Sequence, residues 1–326
     1  MEPVELRPLS LGELLDRTFR LYRDHFWLFV SIMAIPAAFS IPSQVLLLTF
    51  QGSMFNSAAQ APDRPPSLPS VRIIIGGLVV YALFFVIFWT VYCLGVAASS
   101  SAVADVYLGR ACTVRGSYAK IRGRFWRLIG VVFNVALRLL GLFLLVLLAL
   151  GGTVAAIGYF FGGARGSAVF GVIFGLALIS AYVAGIALCV YFALRYAVSV
   201  PVLIIENLGV FATIRRSVSL TRGRRGQIFL SLLVAGIIAA AGTYVLQGPF
   251  MIATFVSALQ GHWPPWLAFA SAVAGAVGSA LTGPVSMIAI VLLYYDSRIR
   301  KEAFDLQFMM ASLDQRAPAA GTVSPA

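Results

Sequence analysis

Six long apolar runs dominate the hydrophobic pattern of this chain. A helix needs about 20 apolar residues to cross the hydrocarbon core of a bilayer, and each run reaches that length without an acidic residue. The pattern predicts an all-α, polytopic membrane domain over residues 27–295, between an amphipathic segment at 1–26 and a polar tail at 296–326. The predicted spans are 27–50, 73–98, 128–161, 169–195, 228–247 and 267–295.

Basic amphipathic segments precede the first, third and fifth runs, the second and third of them at 105–127 and 206–227. In the first segment, Ser10 and Glu13 have the spacing of a capping box, and the apolar face continues directly into Phe26. Trp27 follows Phe26, and tryptophan and tyrosine favour the membrane interface, so we expect helices that lie in the headgroup plane. The alternative is a helix packed on a soluble partner. One such helix followed by two spans occurs three times, which predicts three pseudo-repeats.

Charge is scarce and unevenly placed. Only 11% of the residues are charged, against about 25% in soluble domains. Four basic residues lie in the first segment, six in 105–127, six in 195–225 and four after 295, whereas the opposite loops hold three. This bias predicts that both termini and the connecting segments are cytoplasmic. Arginine, alanine and glycine usage is typical of a GC-rich bacterial genome, so we expect a bacterial plasma-membrane protein.

The net charge of +12 lies beside apolar runs, which favours anionic lipid headgroups over nucleic acid as the partner. The third segment is the densest: Phe211 and Ile214 are predicted on its apolar stripe, with arginines off that stripe. The same residues also fit a purely topogenic role, and a membrane-protein partner or a homo-oligomer stays open. The candidate lipid contacts in the basic segments are Arg122, Arg124, Arg215, Arg216, Arg222, Arg224 and Arg225.

Arg138 is the one charge well inside an apolar run, and Asn134 lies one helical turn before it. A charge at the bilayer centre costs about 2.5–3.5 kcal/mol on insertion scales and usually faces a bundle interior, where it could bind a phosphate or carboxylate. If the span instead begins near Gly141, Arg138 extends to the interface. Separately, Arg195 and Glu206 flank Pro201 and are candidates for a structural ion pair, with Arg215 or Arg216 as alternative partners of Glu206.

The sequence predicts no enzyme. It lacks an HExxH motif and a Walker A loop, has only two histidines, and has three cysteines without close spacing. We therefore expect no catalytic residue, metal or cofactor. The first hypothesis is a non-enzymatic module that binds anionic lipid or a membrane partner. The alternative is a transporter or channel for a lipid-like or anionic solute, with Arg138 in a central cavity.

Three motifs carry a family resemblance: residues 9–23 (LSLGELLDRTFRLYR), Arg216-Ser217 before 220–223 (LTRG), and residues 293–306 (LYYDSRIRKEAFDL). They are similar to the bacterial glycerophosphoryl diester phosphodiesterase membrane-domain proteins. In some relatives this region is joined to a soluble barrel that hydrolyses glycerophosphodiesters with acidic residues, histidines and a divalent metal. Because only twenty residues follow Leu306, we expect the membrane part without that barrel. The resemblance then implies an association with lipid or glycerophosphodiester metabolism and transfers no catalytic residue.

Overall fold

A computed structural model describes residues 9–59, 71–160, 168–261 and 264–302. These residues form helices and contain no strand, which confirms the all-α prediction. The helices in chain order are α1 (Leu11–Asp24), α2 (Phe26–Ala59), α3 (Val71–Tyr107), α4 (Val114–Arg122), α5 (Phe125–Phe160), α6 (Ala168–Tyr196), α7 (Ser199–Glu206), α8 (Val210–Thr221), α9 (Arg225–Leu259) and α10 (Pro265–Glu302).

Six stretches of the described helices are long and apolar enough to cross a membrane, which confirms the predicted number of spans. The polytopic membrane architecture is therefore established. A short helix (α1, α4 or α8) precedes a long helix at three places in the chain. The arrangement in three repeats stays a prediction, and so does the division into the segments 1–26, 27–295 and 296–326. The candidate spans are Phe26–Leu47, Val79–Tyr107, Phe125–Thr153, Leu178–Glu206, Arg225–Leu259 and Pro265–Glu302.

The helix ends show where sequence and structure differ. Helix α2 continues to Ala59, nine residues beyond the predicted end of the first span at residue 50. Helix α6 ends at Tyr196, and Pro201 lies in the first turn of α7. Proline is tolerated in a first turn because its missing N–H would have no intrahelical partner there.

One compact unit combines both ends of the chain, Met1–Phe125 with Leu230–Ala326. We call it the first unit. Helix α10 forms much of its core and packs against α1, α2 and α3. Small residues permit close approach to α9: a Cβ built on Gly278 would lie 2.9 Å from the Cα of Thr243. The predicted capping box of α1 is present, since the Ser10 hydroxyl accepts from the Glu13 N–H and the Glu13 carboxylate accepts from the Ser10 N–H.

The other compact unit is continuous, Trp126–Phe229, and we call it the second unit. It contains most of α5, together with α6, α7, α8 and the first residues of α9. Helix α8 packs against α6 and α7 through a face of buried residues. Close packing of α5 and α6 depends on Gly185, because a Cβ there would come within 2.5 Å of the Val146 side chain.

Candidate functional site

A bidentate ion pair holds α7 and α8 of the second unit together. The Arg216 Nε lies 2.9 Å from the Glu206 Oε2, and the Arg216 Nη2 lies 3.3 Å from the Glu206 Oε1. The two side chains are only 28% and 14% exposed. Helix α7 ends at Glu206, and its C-cap residue Asn207 adopts a left-handed conformation with φ 52°. Of the pairings that the sequence left open for Glu206, the structure contains the one with Arg216.

Arg195 makes different contacts. Its carbonyl accepts hydrogen bonds from the Ser217 hydroxyl at 2.9 Å and the Thr221 hydroxyl at 3.4 Å. Its guanidinium lies 5.2 Å from the centre of the Phe192 ring. Among the described residues it forms no ion pair with Glu206. The proposed Arg195–Glu206 pair is therefore absent there, because the Glu206 carboxylate binds the Arg216 fork instead, while the backbone of Arg195 fastens α6 to α8.

One exposed face, which we call the α8 stripe, consists of Phe211, Arg215 and Ser219 on α8 and of Arg222, the C-cap residue that follows the helix. The three positions on α8 follow the 100° helical repeat and so lie on one side of the helix. Of the two residues predicted on one apolar stripe, Ile214 is buried, whereas Phe211 is 62% exposed. The buried side consists of Thr213, Ile214, Ser217, Leu220 and Thr221.

Arg224 and Arg225 lie after the α8 stripe, and both bind side chains of the second unit. The Arg224 Nη2 donates to the Gln227 Oε1 at 2.5 Å. Arg225 donates to the Tyr191 hydroxyl, and its guanidinium lies 4.5 Å from the centre of that ring. A cation over an aromatic face is stabilised by the ring quadrupole. Arg225 therefore joins the start of α9 to α6, whereas Arg224 binds a residue in the first turn of α9.

The basic segment of the first unit contains the other two candidate lipid contacts. Arg122 is exposed at the end of α4, and Arg124 lies in the following turn, where its N–H donates to the Ile121 carbonyl at 2.7 Å. Nearby, the Lys120 ammonium is 2.5 Å from the Asp105 carboxylate. The Tyr118 hydroxyl donates to the Ile32 carbonyl at 2.9 Å, and burial raises the pKa of Tyr118 to about 12.

Arg138 is exposed on α5 and contacts Tyr196 of α6. Its Nη1 is 3.5 Å from the Tyr196 hydroxyl, and its guanidinium carbon is 5.8 Å from the ring centre. The Oδ1 atom of Asn134 is buried without a hydrogen-bond partner among the described residues. The sequence pairing of Arg138 with Asn134 is therefore not a contact here; Arg138 binds the tyrosine instead. A role for Arg138 in a central cavity stays a prediction.

A partly open cavity of the first unit was not predicted. It has two adjoining lobes of about 260 and 330 Å³, between α2, α3, α9 and α10. Its lining is mostly apolar but includes hydroxyl and amide groups. In the sequence these polar residues stand singly within apolar runs. Helical periodicity alone does not show that residues from different runs lie close together. The residues that line both lobes are Tyr92, Thr243, Gln247, Ser279, Gly283 and Met287.

Comparison with known proteins gives one family. Residues 170–308 match the model described as the membrane domain of glycerophosphoryl diester phosphodiesterase. The match includes the α8 stripe, the Glu206–Arg216 pair and helix α10. Neither the curated proteins nor the solved structures contain a match. The resemblance inferred from the sequence motifs is therefore confirmed over residues 170–308, as a match to the membrane-domain family of glycerophosphoryl diester phosphodiesterase.

Proposed function

We propose that this integral membrane protein is a non-enzymatic module that binds anionic lipid headgroups on its cytoplasmic side through the α8 stripe. One observation carries the proposal: Phe211 and Arg215 are exposed on one side of a helix whose other side is buried, and Arg222 is exposed at the C-cap of the same helix. An aromatic side chain beside cations is what an interfacial helix presents to an anionic membrane surface.

The chemistry of the stripe suits a phosphodiester. A guanidinium offers a planar fork of donors to phosphate oxygens, and each basic residue near an anionic surface contributes about 1 kcal/mol of attraction. Phe211 would enter the boundary between headgroups and acyl chains. Arg216, although adjacent, is already bound to Glu206 and so acts on the fold rather than on lipid.

The family supports the same class of ligand. Its description names a phosphodiesterase of glycerophosphoryl diesters, and phospholipid headgroups share that phosphodiester group. The charge bias of the chain puts the α8 stripe on the cytoplasmic side, where anionic lipids attract basic segments. A lipid-binding role needs no catalytic residue, in agreement with the lack of catalytic motifs in the sequence.

The test is a lipid titration of the full chain in detergent, followed by native mass spectrometry with phosphatidylglycerol or phosphatidylcholine. The double variant Arg215→Gln, Arg222→Gln removes two charges worth about 2 kcal/mol, which corresponds to roughly 30-fold weaker phosphatidylglycerol binding. Phosphatidylcholine binding should be unchanged.

A double variant at Arg64 and Arg72, each changed to Gln, is the charge-matched control because the charge bias puts both residues on the opposite side. Equal phosphatidylglycerol affinity for the α8 variant and this control would overturn the proposal. Loss of a second copy of the chain from the spectra, with lipid binding intact, would instead identify the α8 stripe as an interface between copies.

A further inference from the structure

We propose that the cavity of the first unit binds an uncharged lipid that bears a hydroxyl group. This inference does not depend on the α8 stripe, because the cavity is formed by residues of the first unit alone. Its two lobes, about 260 and 330 Å³, lie in the range of ligand sites when taken together. Helices α2, α3, α9 and α10, which form its walls, all contain candidate membrane spans.

Two polar groups that line both lobes lack a protein partner among the described residues. Within the described part of the chain, neither the side-chain amide of Gln247 nor the hydroxyl of Tyr92 makes a hydrogen bond, and both residues line both lobes. Gln44 also lines the first lobe and uses its amide nitrogen to donate to the Ser40 hydroxyl at 3.3 Å. In a membrane an unsatisfied polar group is costly, so a ligand that pairs with Gln247 and Tyr92 gains free energy.

The other hydroxyl groups that line both lobes are already satisfied by the protein. The Thr243 hydroxyl is 2.9 Å from that of Thr282, and it also lies 3.0 Å from the Ala239 carbonyl. The Ser279 hydroxyl donates to the Ala276 carbonyl at 2.9 Å. Gln247 and Tyr92 are therefore the groups that determine what binds: together they offer N–H and O–H donors and an amide carbonyl acceptor.

The lining determines the charge of the ligand. Apart from the phenols of Tyr92 and Tyr244, no residue of either lobe has an ionisable side chain. A charged ligand would lose its hydration without gaining a counter-ion, which is expensive at membrane depth. Met33, Phe88 and Met287 supply apolar contacts, and methionine adapts readily to flexible chains. An uncharged hydroxyl or ester group attached to an acyl chain satisfies both parts of the lining.

Gly275 makes room for the amide that would bind the ligand. A Cβ at position 275 would lie 2.9 Å from the Gln247 Nε2 and 3.0 Å from its Oε1. Such distances are too short, so an alanine there must displace the amide. The second lobe extends to Tyr244, which is 59% exposed on α9, and this side gives a lipid a lateral route to Gln247.

The shared chemistry is an uncharged hydroxyl-bearing group, and two sources supply it: a membrane lipid or a free polyol. The probe is a diacylglycerol with a photoreactive diazirine in one acyl chain, added to the full chain in phosphatidylcholine nanodiscs. After illumination, mass spectrometry maps the labelled peptides. Unlabelled diacylglycerol and glycerol are the two competitors. We expect labelling of the cavity helices that diacylglycerol suppresses and glycerol does not.

The double variant Tyr92→Phe, Gln247→Leu should lose roughly tenfold or more of the specific labelling, since two hydrogen bonds are removed. Gly275→Ala should lower the labelling while both polar residues remain. Thr90→Val is the matched control, because its hydroxyl donates to the Val86 carbonyl and is absent from the lining of both lobes. Thr90→Val should be labelled as strongly as the unmodified protein. All variants should keep the thermal midpoint of the unmodified protein.

Three results would overturn the inference. Labelling that is equal in the double variant and in Thr90→Val would show that the polar groups of the cavity do not hold the probe. Suppression by glycerol would assign the cavity to a free polyol. If unlabelled diacylglycerol does not suppress any labelling of the unmodified protein, the probe has no specific site in the cavity, and water is the occupant. The proposed role of the α8 stripe is judged separately, because its assay uses phosphatidylglycerol and variants of the second unit.

Discussion

Asp296 joins the first described residues to the last helix, and its loss should release α1. Its carboxylate is fully buried and accepts from the Leu9 N–H at 2.9 Å and from the Arg300 Nε at 3.0 Å. Arg300 completes the link by donating to the Leu9 carbonyl at 2.6 Å. We predict that Asp296→Ala destabilises the attachment of α1, the helix that begins two residues after Leu9.

The magnitude follows from which groups lose their partners. A hydrogen bond to a charged group contributes about 1.5–3 kcal/mol, and a buried N–H left unsatisfied costs about 1–3 kcal/mol. The Leu9 N–H is buried and would have no acceptor, whereas the Arg300 side chain is 36% exposed and can regain water. We therefore expect a loss of about 3 kcal/mol in Asp296→Ala. Asp296→Asn keeps an acceptor for the Leu9 N–H, so it should lose about half as much.

Hydrogen exchange with mass spectrometry on the protein in nanodiscs measures this directly. A loss of about 3 kcal/mol corresponds to roughly 100-fold faster exchange of the α1 amides if they exchange by local opening. Peptides from α8 serve as the internal control. Asp16→Ala is the charge-matched control, since the Asp16–Arg20 pair has both side chains at least 66% exposed and contributes little. Unchanged exchange of α1 in Asp296→Ala, or equal effects of Ala and Asn, would refute this reasoning.

Three further predictions concern stability. Glu206→Gln removes the carboxylate that holds Arg216, so the free energy of unfolding should fall by about 2 kcal/mol and the thermal midpoint should fall with it. An unaltered midpoint would contradict the structural role of this pair. Gly278→Ala should destabilise the protein because the new Cβ would meet the backbone of Thr243. Gly236→Ala has open space around it and should stabilise the protein by about 0.5–1 kcal/mol. A higher thermal midpoint for Gly278→Ala than for Gly236→Ala would contradict the packing. Burial raises the pKa of Tyr118 from 10 to about 12, so between these pH values the folded state keeps the phenol proton that the unfolded state loses. The free energy of unfolding should therefore fall between pH 10 and pH 12, and it should fall less in Tyr118→Phe. A pH series of unfolding midpoints measures this difference.

Local and one-dimensional features were predictable from the sequence. The six spans followed from apolar length, and the N-terminus of α1 followed from the spacing of Ser10 and Glu13. The fourth span was predicted to end at residue 195, and α6 ends at Tyr196. Such features depend on neighbours in sequence, for which helix period, capping chemistry and transfer energies are sufficient.

Features that depend on long-range packing were not predictable. The link between Leu9 and Asp296 joins residues 287 positions apart, and the cavity combines residues of four helices. The different surroundings of Phe211 and Ile214 were not predictable for the same reason, since they depend on where α7 packs against α8. In a membrane protein both the core and the lipid-facing side are apolar, so hydrophobic pattern does not separate them.

The most direct test of the central claim is a structure of the full chain determined by electron microscopy in phosphatidylglycerol nanodiscs. The proposed function predicts headgroup density within hydrogen-bond distance of the Arg215 and Arg222 guanidinium groups, with Phe211 at acyl-chain depth. It also predicts that this density is absent from the Arg215→Gln, Arg222→Gln variant. Headgroup density that avoids the α8 stripe in the unmodified protein, or a second protein copy seated there, would contradict the claim.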